Sequence, residues 1–311
     1  MELREMRVFV AVVEEGSLSG AARRLRLSQP AVSQVVAAVE RELDQPLLIR
    51  ASTGVRPTTA GEVLAAEARA VLARYEQAMA AVVRPEGEPP VLHLGLPLEV
   101  RMEVLAGALA ELASARPAGR VEAHHLSTSA QVAALRSGRL DLGLLRERPD
   151  GDDLDAMQVG AEPLGVLLAS RVADELATPD ADGRIGALRL DRLAGLEWLS
   201  FRRADSPAWF DEIVAVLRSH GLRPRPQPEG SQSLIPEVKL TAVLSGGVFS
   251  LAPPDWPQPL PDGVVWRPLA GNPLVRRTWA TWPADSRRRD LGFLIAALDR
   301  ADPSESDGTH K

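Results

Sequence analysis

The sequence predicts an α/β protein made of two unlike parts, a helical N-terminal part and a longer part in which helices and strands alternate. Three observations support this prediction. Residues 3 to 43 repeat apolar side chains at helical spacing. Residues 85 to 90 read Pro-Glu-Gly-Glu-Pro-Pro, which neither a helix nor a strand can cross. Beyond this break, short apolar strands alternate with amphipathic helices, a pattern typical of a parallel α/β sheet.

Composition excludes several classes of protein. The 311 residues are 45% hydrophobic and 25% charged, which is enough for a folded chain of two domains at about 150 residues each. The net charge of −6 argues against a protein that coats nucleic acid over its whole surface. The longest uncharged stretch, residues 240 to 254, is shorter than the about 20 apolar residues of a membrane span. With no basic start typical of a secretory signal, we expect a cytoplasmic protein without a membrane partner.

Three short helices are predicted at the N-terminus. An apolar stripe from Leu3 to Val13 predicts the first helix, which Gly16 ends. Ser17 can cap the second helix and Ser28 the third. Only two or three residues separate the second helix from the third. This is the spacing of a helix-turn-helix, in which residues 28 to 40 enter a DNA major groove.

A wing and a long helix follow. The apolar segments 46 to 50 and 55 to 58 flank a polar tip and predict a two-stranded wing. Thr59 and Glu62 form a capping-box pattern at the start of a helix that runs to Arg84, roughly 26 residues and about 39 Å long. Its apolar residues alternate spacings of four and three, as in a helix that packs against another long helix. A second copy of the chain is the expected partner. The predicted dimerisation residues are Leu64, Ala68, Val71, Tyr75, Ala78 and Val82.

Two groups of alternating elements follow the break. The first comprises strands at 91–96, 121–126 and 140–145, with helices at 102–112 and 130–137. The second comprises strands at 196–201 and 248–252, with helices at 209–220 and 233–245. Two small lobes are therefore expected. Residues 163–170 and 264–269 are predicted to cross between them, and 287–300 to form a final helix.

Several motifs stand in a specific order in the first 61 residues. They are Phe9-Val10-Ala11-Val12, Glu15-Gly16-Ser17-Leu18, Ala21-Ala22-Arg23-Arg24-Leu25, Leu27-Ser28-Gln29-Pro30-Ala31-Val32-Ser33 and Thr58-Thr59-Ala60-Gly61. In order and spacing they resemble the signature of the LysR-type transcriptional regulators. Later runs, Leu140-Asp141-Leu142-Gly143-Leu144 and Leu244-Ser245-Gly246-Gly247-Val248, resemble the effector-binding domain of that family.

The resemblance implies a domain organisation and a function. A winged helix-turn-helix DNA-binding domain would occupy residues 1–58, and a linker and dimerisation helix with a hinge residues 59–88. An effector-binding domain similar to type 2 periplasmic binding proteins would occupy 89–311, with lobe I at about 89–162 and 268–300 and lobe II at about 163–267. A small-molecule effector would bind between the lobes. The implied partners are double-stranded DNA, a second copy of the chain in a homodimer or homotetramer, and RNA polymerase.

The third helix carries the predicted base-reading residues. The amides of Gln29 and Gln34 can bond adenine edges, and Ser33 can serve a base or a phosphate. Family members commonly carry basic residues where this chain has Gln34 and Ala37, so phosphate attraction either comes from arginines around the helix or is modest. An ordinary polar helix face is the alternative. The predicted DNA contacts are Ser17, Arg23, Arg24, Ser28, Gln29, Pro30, Ser33, Gln34, Arg50 and Arg56.

Ligands of α/β sheets bind beyond the carboxyl ends of the strands, which selects the effector residues. These are Leu98, Glu99, Ser127, Thr128, Ser129, Arg146, Phe201 and Arg202. The hydroxyls of residues 127 to 129 form an anion pocket or merely cap the next helix. Arg146 either binds a carboxylate or belongs to a solvated loop. Glu99 either favours an effector with an amine or hydroxyls or points outward.

Catalysis, cofactors and metals are not expected. The chain has no cysteine, and no phosphate-loop, dinucleotide or nucleophile-elbow motif occurs in it. His93, His124 and His125 lie in or near neighbouring strands, but no carboxylate or further histidine is expected to complete a tetrahedral set. A regulator without effector control and a solute-binding transport protein are the alternatives to an effector-controlled regulator. The transport protein would share only the second domain.

Overall fold

The structure is a computed structural model of the chain. It describes residues 1–51, 54–83, 91–176, 186–225, 235–254, 256 and 259–301. Among these, the residues up to 83 together with 133–139 form one compact unit, and the others form a second. No helix in these ranges has the length and apolar character needed to cross a membrane.

The N-terminal unit contains the predicted helix-turn-helix and wing. Its elements are α1 Leu3–Glu15, α2 Leu18–Leu25, α3 Gln29–Leu43, β1 Leu48–Ala51, β2 Gly54–Pro57 and α4 Thr59–Val83. Val8, Ala21 and Val32 are buried where the first three helices meet. A second cluster, which includes Phe9 and Ala65, joins α4 to this core. Arg26 ends α2 in the left-handed region at a φ of 55°, which turns the chain toward α3.

Helix α4 begins differently from the predicted capping box. Thr58 is its N-cap, because Thr58 Oγ1 accepts a hydrogen bond from the Gly61 N–H at 3.0 Å. The same hydroxyl donates to the carbonyl of Pro46 at 2.8 Å and so ties the helix to the start of the wing. The prediction of a cap at Thr59 with Glu62 is therefore wrong. The wing strand ends one residue earlier than predicted, which leaves Thr58 free to cap.

Gly61 allows α4 to approach the wing closely. A Cβ at this position would lie 2.0 Å from the backbone oxygen of Leu47. That oxygen also accepts from the Thr58 N–H at 2.9 Å, so it has little freedom to move away. We expect Gly61→Ala to lower the free energy of unfolding by about 2 kcal/mol, as overpacking does. Denaturant unfolding measures the change.

Gly107 provides the matched control for this prediction. It also lies in a helix, but a Cβ added there meets nothing within 4 Å. Because alanine favours helix over glycine, Gly107→Ala should leave stability equal or raise it by up to about 1 kcal/mol. Equal stability of the two variants would contradict the close approach at Gly61.

The chain after residue 90 contains nine strands and six α-helices among the described residues, all in the second unit except the end of α6. Its first elements are β3 Val91–Leu96, α5 Met102–Ala115, β4 Arg120–His125, α6 Thr128–Arg136, β5 Leu142–Leu145, β6 Leu154–Pro163, β7 Gly165–Ala169 and α7 Ser170–Leu176. Then follow β8 Glu197–Trp198, α8 Pro207–Ser219, α9 Pro236–Ser245, β9 Val248–Ala252, β10 Val264–Pro268, β11 Val275–Pro283 and α10 Arg289–Ala301. Two short 3₁₀ helices span Leu190–Leu193 and Arg203–Asp205.

These strands form two sheets. One has the order β4-β3-β5-β11-β6 and the other the order β10-β7-β9-β8. We call the parts built around them the five-stranded lobe and the four-stranded lobe. Strand β3 pairs in parallel with β4 and β5, but β11 runs antiparallel to β5 and β6. Strand β7 likewise runs antiparallel to β9 and β10. The strands that the alternation predicted to be parallel are confirmed as such, since β3 pairs in parallel with β4 and β5, and β8 with β9. Each sheet as a whole is mixed, because strands rather than helices carry the chain between the lobes.

Several predicted elements differ from the structure. Strands β6 and β11 were not predicted. The segments 163–170 and 264–269, predicted to cross between lobes, mostly form β7 and β10, which pair inside the four-stranded sheet. The chain crosses next to them, where the Leu164 N–H donates to the Leu274 carbonyl at 2.9 Å. The strand predicted at 196–201 is regular only at Glu197–Trp198. Of the helix predicted at 233–245, residues 233 and 234 lie outside the described residues.

Candidate DNA-binding surface and effector cavity

Helix α3 buries its apolar face in the core and exposes its polar face. Val32, Val36 and Val39 are all 0% exposed. The predicted base-reading residues are both exposed, Gln29 at the first position of the helix and Gln34 on the face opposite these valines. Their amides therefore have no role in the core and are free to contact a ligand such as DNA.

The predicted serines and Pro30 have local roles at the helix starts. The Ser17 hydroxyl accepts a hydrogen bond from the Gly20 N–H at 2.8 Å, and the Ser28 hydroxyl accepts one from the Ala31 N–H at 3.3 Å. Each hydroxyl keeps its own proton to donate. Pro30 is exposed in the first turn of α3, and Ser33 on the next turn is half-buried.

The predicted phosphate-binding arginines differ in their partners. Arg24 donates to Glu14 at 2.7 Å and contacts Glu15 at 3.4 Å, so carboxylates already neutralise its charge. Burial raises the pKa of Glu14, but Arg24 and Arg69 outweigh this effect and hold its pKa below the ordinary value.

Other arginines near the helix-turn-helix are not neutralised in this way. Arg23 and Arg56 are exposed and form no ion pair with any side chain in the described part of the chain. Arg26, which was not predicted, is also exposed, at the turn between α2 and α3. Of Arg50, only the backbone pairing with Val55 is described. The sequence signal for Arg26 was its position as a basic residue in the short turn between the two helices of the helix-turn-helix.

The predicted dimerisation seam is covered over its first half. Helix α1 packs against the start of α4, so Ala68 is 1% exposed and Leu64 is half-buried in their own chain. The prediction that Ala68 meets a partner helix is therefore wrong. Further along, Val71 and Tyr75 are 43% and 40% exposed. Ala78 is exposed as well, and the side chain of Val82 lies outside the described residues.

In the second unit a cavity of about 340 Å³ lies between the two lobes. Seven of the eight predicted effector residues line it. They are Leu98, Glu99, Ser127, Thr128, Arg146, Phe201 and Arg202. Ser129 lies in the first turn of α6, outside the lining. Five of the seven meet because β3, β4 and β5 lie side by side and end at the same edge of their sheet. Phe201 and Arg202 follow β8 of the four-stranded lobe and line the cavity from the other side.

Glu99 is the centre of a buried charge network. Its side chain is 6% exposed, with Oε1 2.5 Å from Lys239 Nζ and Oε2 3.1 Å from an Arg276 nitrogen. The alternative that Glu99 points outward is therefore wrong. The chain's own cations also engage both oxygens that an effector amine would need. Burial raises the pKa of Glu99, but Lys239 and Arg276 outweigh burial and lower its pKa.

Arg146 organises the loop that carries Glu99. It donates to the carbonyls of Leu98 at 2.7 Å and Glu99 at 2.9 Å, and to Thr278 Oγ1 at 2.8 Å. The Glu99 carbonyl can face these donors because Glu99 adopts the left-handed region with a φ of 56°. Arg146 is 8% exposed, so the solvated-loop alternative is wrong. Burial, together with the nearby Arg276 charge, lowers the pKa of the Arg146 guanidinium.

The network has a surplus of positive charge. Arg276 joins Glu99 to a second buried carboxylate, Glu162, at 2.8 Å. Arg146, Lys239 and Arg276 thus face only two carboxylates, which leaves one positive charge unbalanced beside the cavity. At the rim, Arg202 is neutralised by a two-point contact with Asp205 at 2.7 and 3.2 Å.

The remaining wall combines hydroxyls with aromatic rings. The Ser127 hydroxyl caps α6 by accepting from the Ala130 N–H at 3.3 Å, which supports the capping alternative for this residue. The Thr128 hydroxyl accepts from the Arg146 N–H at 3.2 Å. On the four-stranded lobe the lining is largely apolar. Its members there include Trp198, Leu199, Phe201, Trp209, Ile213 and Leu251.

Sequence reasoning missed Lys239 and Arg276. Lys239 lies on α9, and Arg276 lies on β11, a strand that was not predicted. A signal for Lys239 was present, since it is one of two lysines in the chain and directly precedes the uncharged residues 240 to 254. No comparable signal marks Arg276 among its neighbouring arginines.

Two family models match the chain. A family model described as bacterial regulatory helix-turn-helix protein, lysR family, matches residues 3–62, and the LysR substrate binding domain matches 85–301. The probable cat1 operon transcriptional activator of Acinetobacter lwoffii is 31% identical over 228 residues, 72% of each chain. The Hca operon transcriptional activator HcaR of Escherichia coli (strain K12) is 29% identical over 300 residues, 96% of this chain and 97% of that one.

Solved structures show the same fold. Full-length BenM matches with a TM-score of 0.56 and 23% identity over 98% of both chains. CbnR in complex with its target DNA matches with a TM-score of 0.52 and 21% identity, over 97% of this chain and 100% of that one. The chain belongs to the LysR family of DNA-binding transcriptional regulators, which are not enzymes, and it carries the effector-binding domain of that family.

Proposed function

We propose that this regulator responds to a small organic anion with an apolar body, bound in the cavity between its two lobes. The observation that carries the proposal is the unbalanced positive charge of the network around Glu99, which faces the aromatic wall of the same cavity. A volume of about 340 Å³ suits a small molecule. The proposed effector-binding residues are the seven predicted residues that line the cavity, together with Lys239 and Arg276.

The anionic group belongs beside Lys239 and Arg276. Lys239 directs its ammonium group at Glu99 and, more weakly, at the Leu251 carbonyl at 3.4 Å. A second anion near this ammonium would share it with Glu99. The apolar body would then contact Trp198 and Trp209, and the removal of this apolar body from water would contribute most of the affinity.

Binding can change how the lobes close. Several polar contacts join the two lobes, and Lys239 to Glu99 is one of them. In another, Glu147 of the five-stranded lobe accepts from the Trp209 N–H at 2.7 Å and from the Ser206 hydroxyl at 2.9 Å, at the start of α8. Arg277 of β11 also contacts Glu212 of α8 at 3.2 Å. An effector that competes for Lys239 has different affinities for the open and closed arrangements. Such a difference is what shifts a conformational equilibrium.

On DNA, the proposed base contacts are Gln29, Ser33 and Gln34, and the proposed phosphate contacts are Arg23, Arg26 and Arg56. A dimer formed through the exposed half of α4 would place two such modules on a two-fold-related site in the cytoplasm. RNA polymerase is a further partner in this proposal, because a bound regulator acts on transcription.

The test measures DNA binding and effector response together. Fluorescence anisotropy compares DNA from upstream of the chain's own gene with a shuffled control, alone and with matched organic acids, amides and amines. We expect a preference of about a thousandfold for the specific DNA, changed by an acid but not by its neutral amide. A response to the amine or amide with none to any acid would overturn the proposed effector class. No response to any compound would favour a regulator without effector control.

A single substitution tests base reading by α3. Gln34→Ala should weaken binding to the specific DNA by about tenfold and leave binding to shuffled DNA unchanged, since one base contact accounts for about 1–3 kcal/mol. Gln45→Ala is the matched control, because Gln45 is also exposed but lies beyond the end of α3. An equal loss on both DNAs would contradict base reading.

A further inference from the structure

Three side chains of types that can ligate a metal ion lie together on the five-stranded sheet. Strand β3 carries His93, and the neighbouring strand β4 carries Glu122 and His124. His93 lies directly opposite Glu122 in the parallel register, and His124 lies two residues further along, on the same face of the sheet. The expectation that no carboxylate accompanies the histidines is wrong, because the register places His93 opposite Glu122, which shares its face of β4 with His124.

The distances suit a single ion. His93 Nδ1 lies 3.4 Å from His124 Nε2 and 3.8 Å from a Glu122 oxygen. In a tetrahedral zinc site with bonds of about 2.0 to 2.2 Å, ligand atoms lie about 3.3 to 3.6 Å apart. All three ligand atoms lie within 4.8 Å of one another, so small side-chain rotations complete the geometry.

We propose that His93, Glu122 and His124 bind a divalent transition-metal ion of the zinc type, with the fourth position open to water. Two imidazoles and one carboxylate are ligands that zinc and its neighbours in the first transition row accept. The side chains of His93 and Glu122 are each 37% exposed, so an ion reaches them from solvent.

Neighbouring groups hold two of the ligands in place. Arg120 contacts the other Glu122 oxygen at 2.9 Å, which orients the carboxylate although the positive charge opposes a cation. The backbone of His93 is fixed on both sides by Asp141, whose carboxylate accepts from the His93 N–H at 2.8 Å and whose N–H donates to the His93 carbonyl at 2.9 Å. The Glu122 carboxylate thus has a partner that orients it, as the ligands of metal sites commonly do, and the backbone position of His93 is fixed.

The position of the site connects it to the cavity. Strand β3 ends one residue before Pro97, which lines the cavity, and β4 ends at His125, which also lines it. An ion that joins β3 to β4 therefore stabilises the strands whose ends form one wall. The adjacent His125 belongs to the other face of the sheet, where its Nδ1 lies 3.1 Å from the Leu96 carbonyl.

The experiment uses the full chain without an affinity tag, stripped of metal. Calorimetric titration with Zn²⁺ and visible absorption on Co²⁺ addition should show one ion per chain in tetrahedral geometry. His93→Ala and His124→Ala should each weaken Zn²⁺ binding by about tenfold or more, given that loss of an outer partner alone costs 10- to 100-fold. His220→Ala, which removes an exposed histidine at the end of α8, should bind as the unmodified chain does.

Glu122→Gln adds a variant of unchanged size in case a histidine variant does not fold, which circular dichroism would reveal. It should also weaken Zn²⁺ binding about tenfold. Binding unchanged in Glu122→Gln or in a folded histidine variant would overturn the proposal, and so would one ion for every two chains. Because these readouts involve neither DNA nor effector, failure here leaves the proposed function intact.

Discussion

Replacing Glu99 by glutamine should lower the free energy of unfolding by about 3 to 5 kcal/mol. Glutamine keeps the size of the side chain but removes the charge between Lys239 and Arg276. Two buried cations then face Glu162 alone, with Arg146 nearby. Removing one partner of a buried ion pair leaves an uncompensated charge in a medium of low polarity, which costs about this much.

Urea unfolding followed by circular dichroism measures this change. Glu103→Gln is the matched control, because Glu103 is exposed in the first turn of α5 and should matter by less than about 0.5 kcal/mol. The double variant Glu99→Gln with Lys239→Met should recover part of the lost stability, since it removes one of the two cations that lost the Glu99 charge. A loss below about 1 kcal/mol in the single variant would show that the network is solvated.

The same carboxylate predicts how stability depends on pH. Lys239 and Arg276 lower the pKa of Glu99 in the folded chain despite burial. The ionised form therefore favours folding, and its contribution is complete above the unfolded pKa of about 4.3. As the pH falls below that value and through the lower folded pKa, the contribution is lost. The stability difference between the chain and Glu99→Gln should accordingly shrink below about pH 4.

Replacing Val71 by arginine should convert the proposed dimer into monomers and weaken binding to the specific DNA by about a hundredfold or more. Val71, Tyr75 and Met79 are exposed apolar residues on α4, 40 to 49% accessible. An arginine there places a charge in the proposed interface. Two linked DNA-binding modules bind about 10²- to 10⁴-fold more tightly than one, and a monomer loses this advantage.

Light scattering and anisotropy on the specific DNA test this prediction together. Ala66→Arg is the matched control, because Ala66 is exposed on the opposite face of the same helix and should leave the dimer intact. Persistent Val71→Arg dimers that still bind the specific DNA tightly would exclude this stripe as the interface. Arg7 lies 5.8 Å from the Tyr75 ring, so Val71 is a cleaner position for the substitution than Tyr75.

The N-terminal unit was predictable because local signals determine it. Each helix there starts at a serine or threonine cap or ends at a left-handed residue, and each presents one apolar stripe. The single misplaced cap, Thr59 instead of Thr58, depended on a contact with Pro46, twelve positions away. Sequence patterns report such distant contacts poorly, even when the neighbouring element is correctly predicted.

The cavity was only partly predictable. Strands that end at one edge of a sheet indicated Glu99, Ser127 and Arg146 in advance, because parallel neighbours end together. The two cations that determine the charge of the cavity do not follow the carboxyl end of a parallel strand, so this rule did not indicate them. Lys239 lies on α9, whose sequence is that of an ordinary apolar helix, and Arg276 lies on β11, an antiparallel strand that returns from the other lobe.

The sequence by itself determined the helix-turn-helix, the wing, the alternation of strands and helices and the family, since these rest on short-range periodicity and ordered motifs. The tertiary structure alone decided which distant charges meet. Lys239 and Arg276 reach Glu99 across 140 and 177 positions of the chain, and Glu122 joins two histidines through strand register. Electrostatic pairing depends on separation in space, and only the completed fold determines that separation.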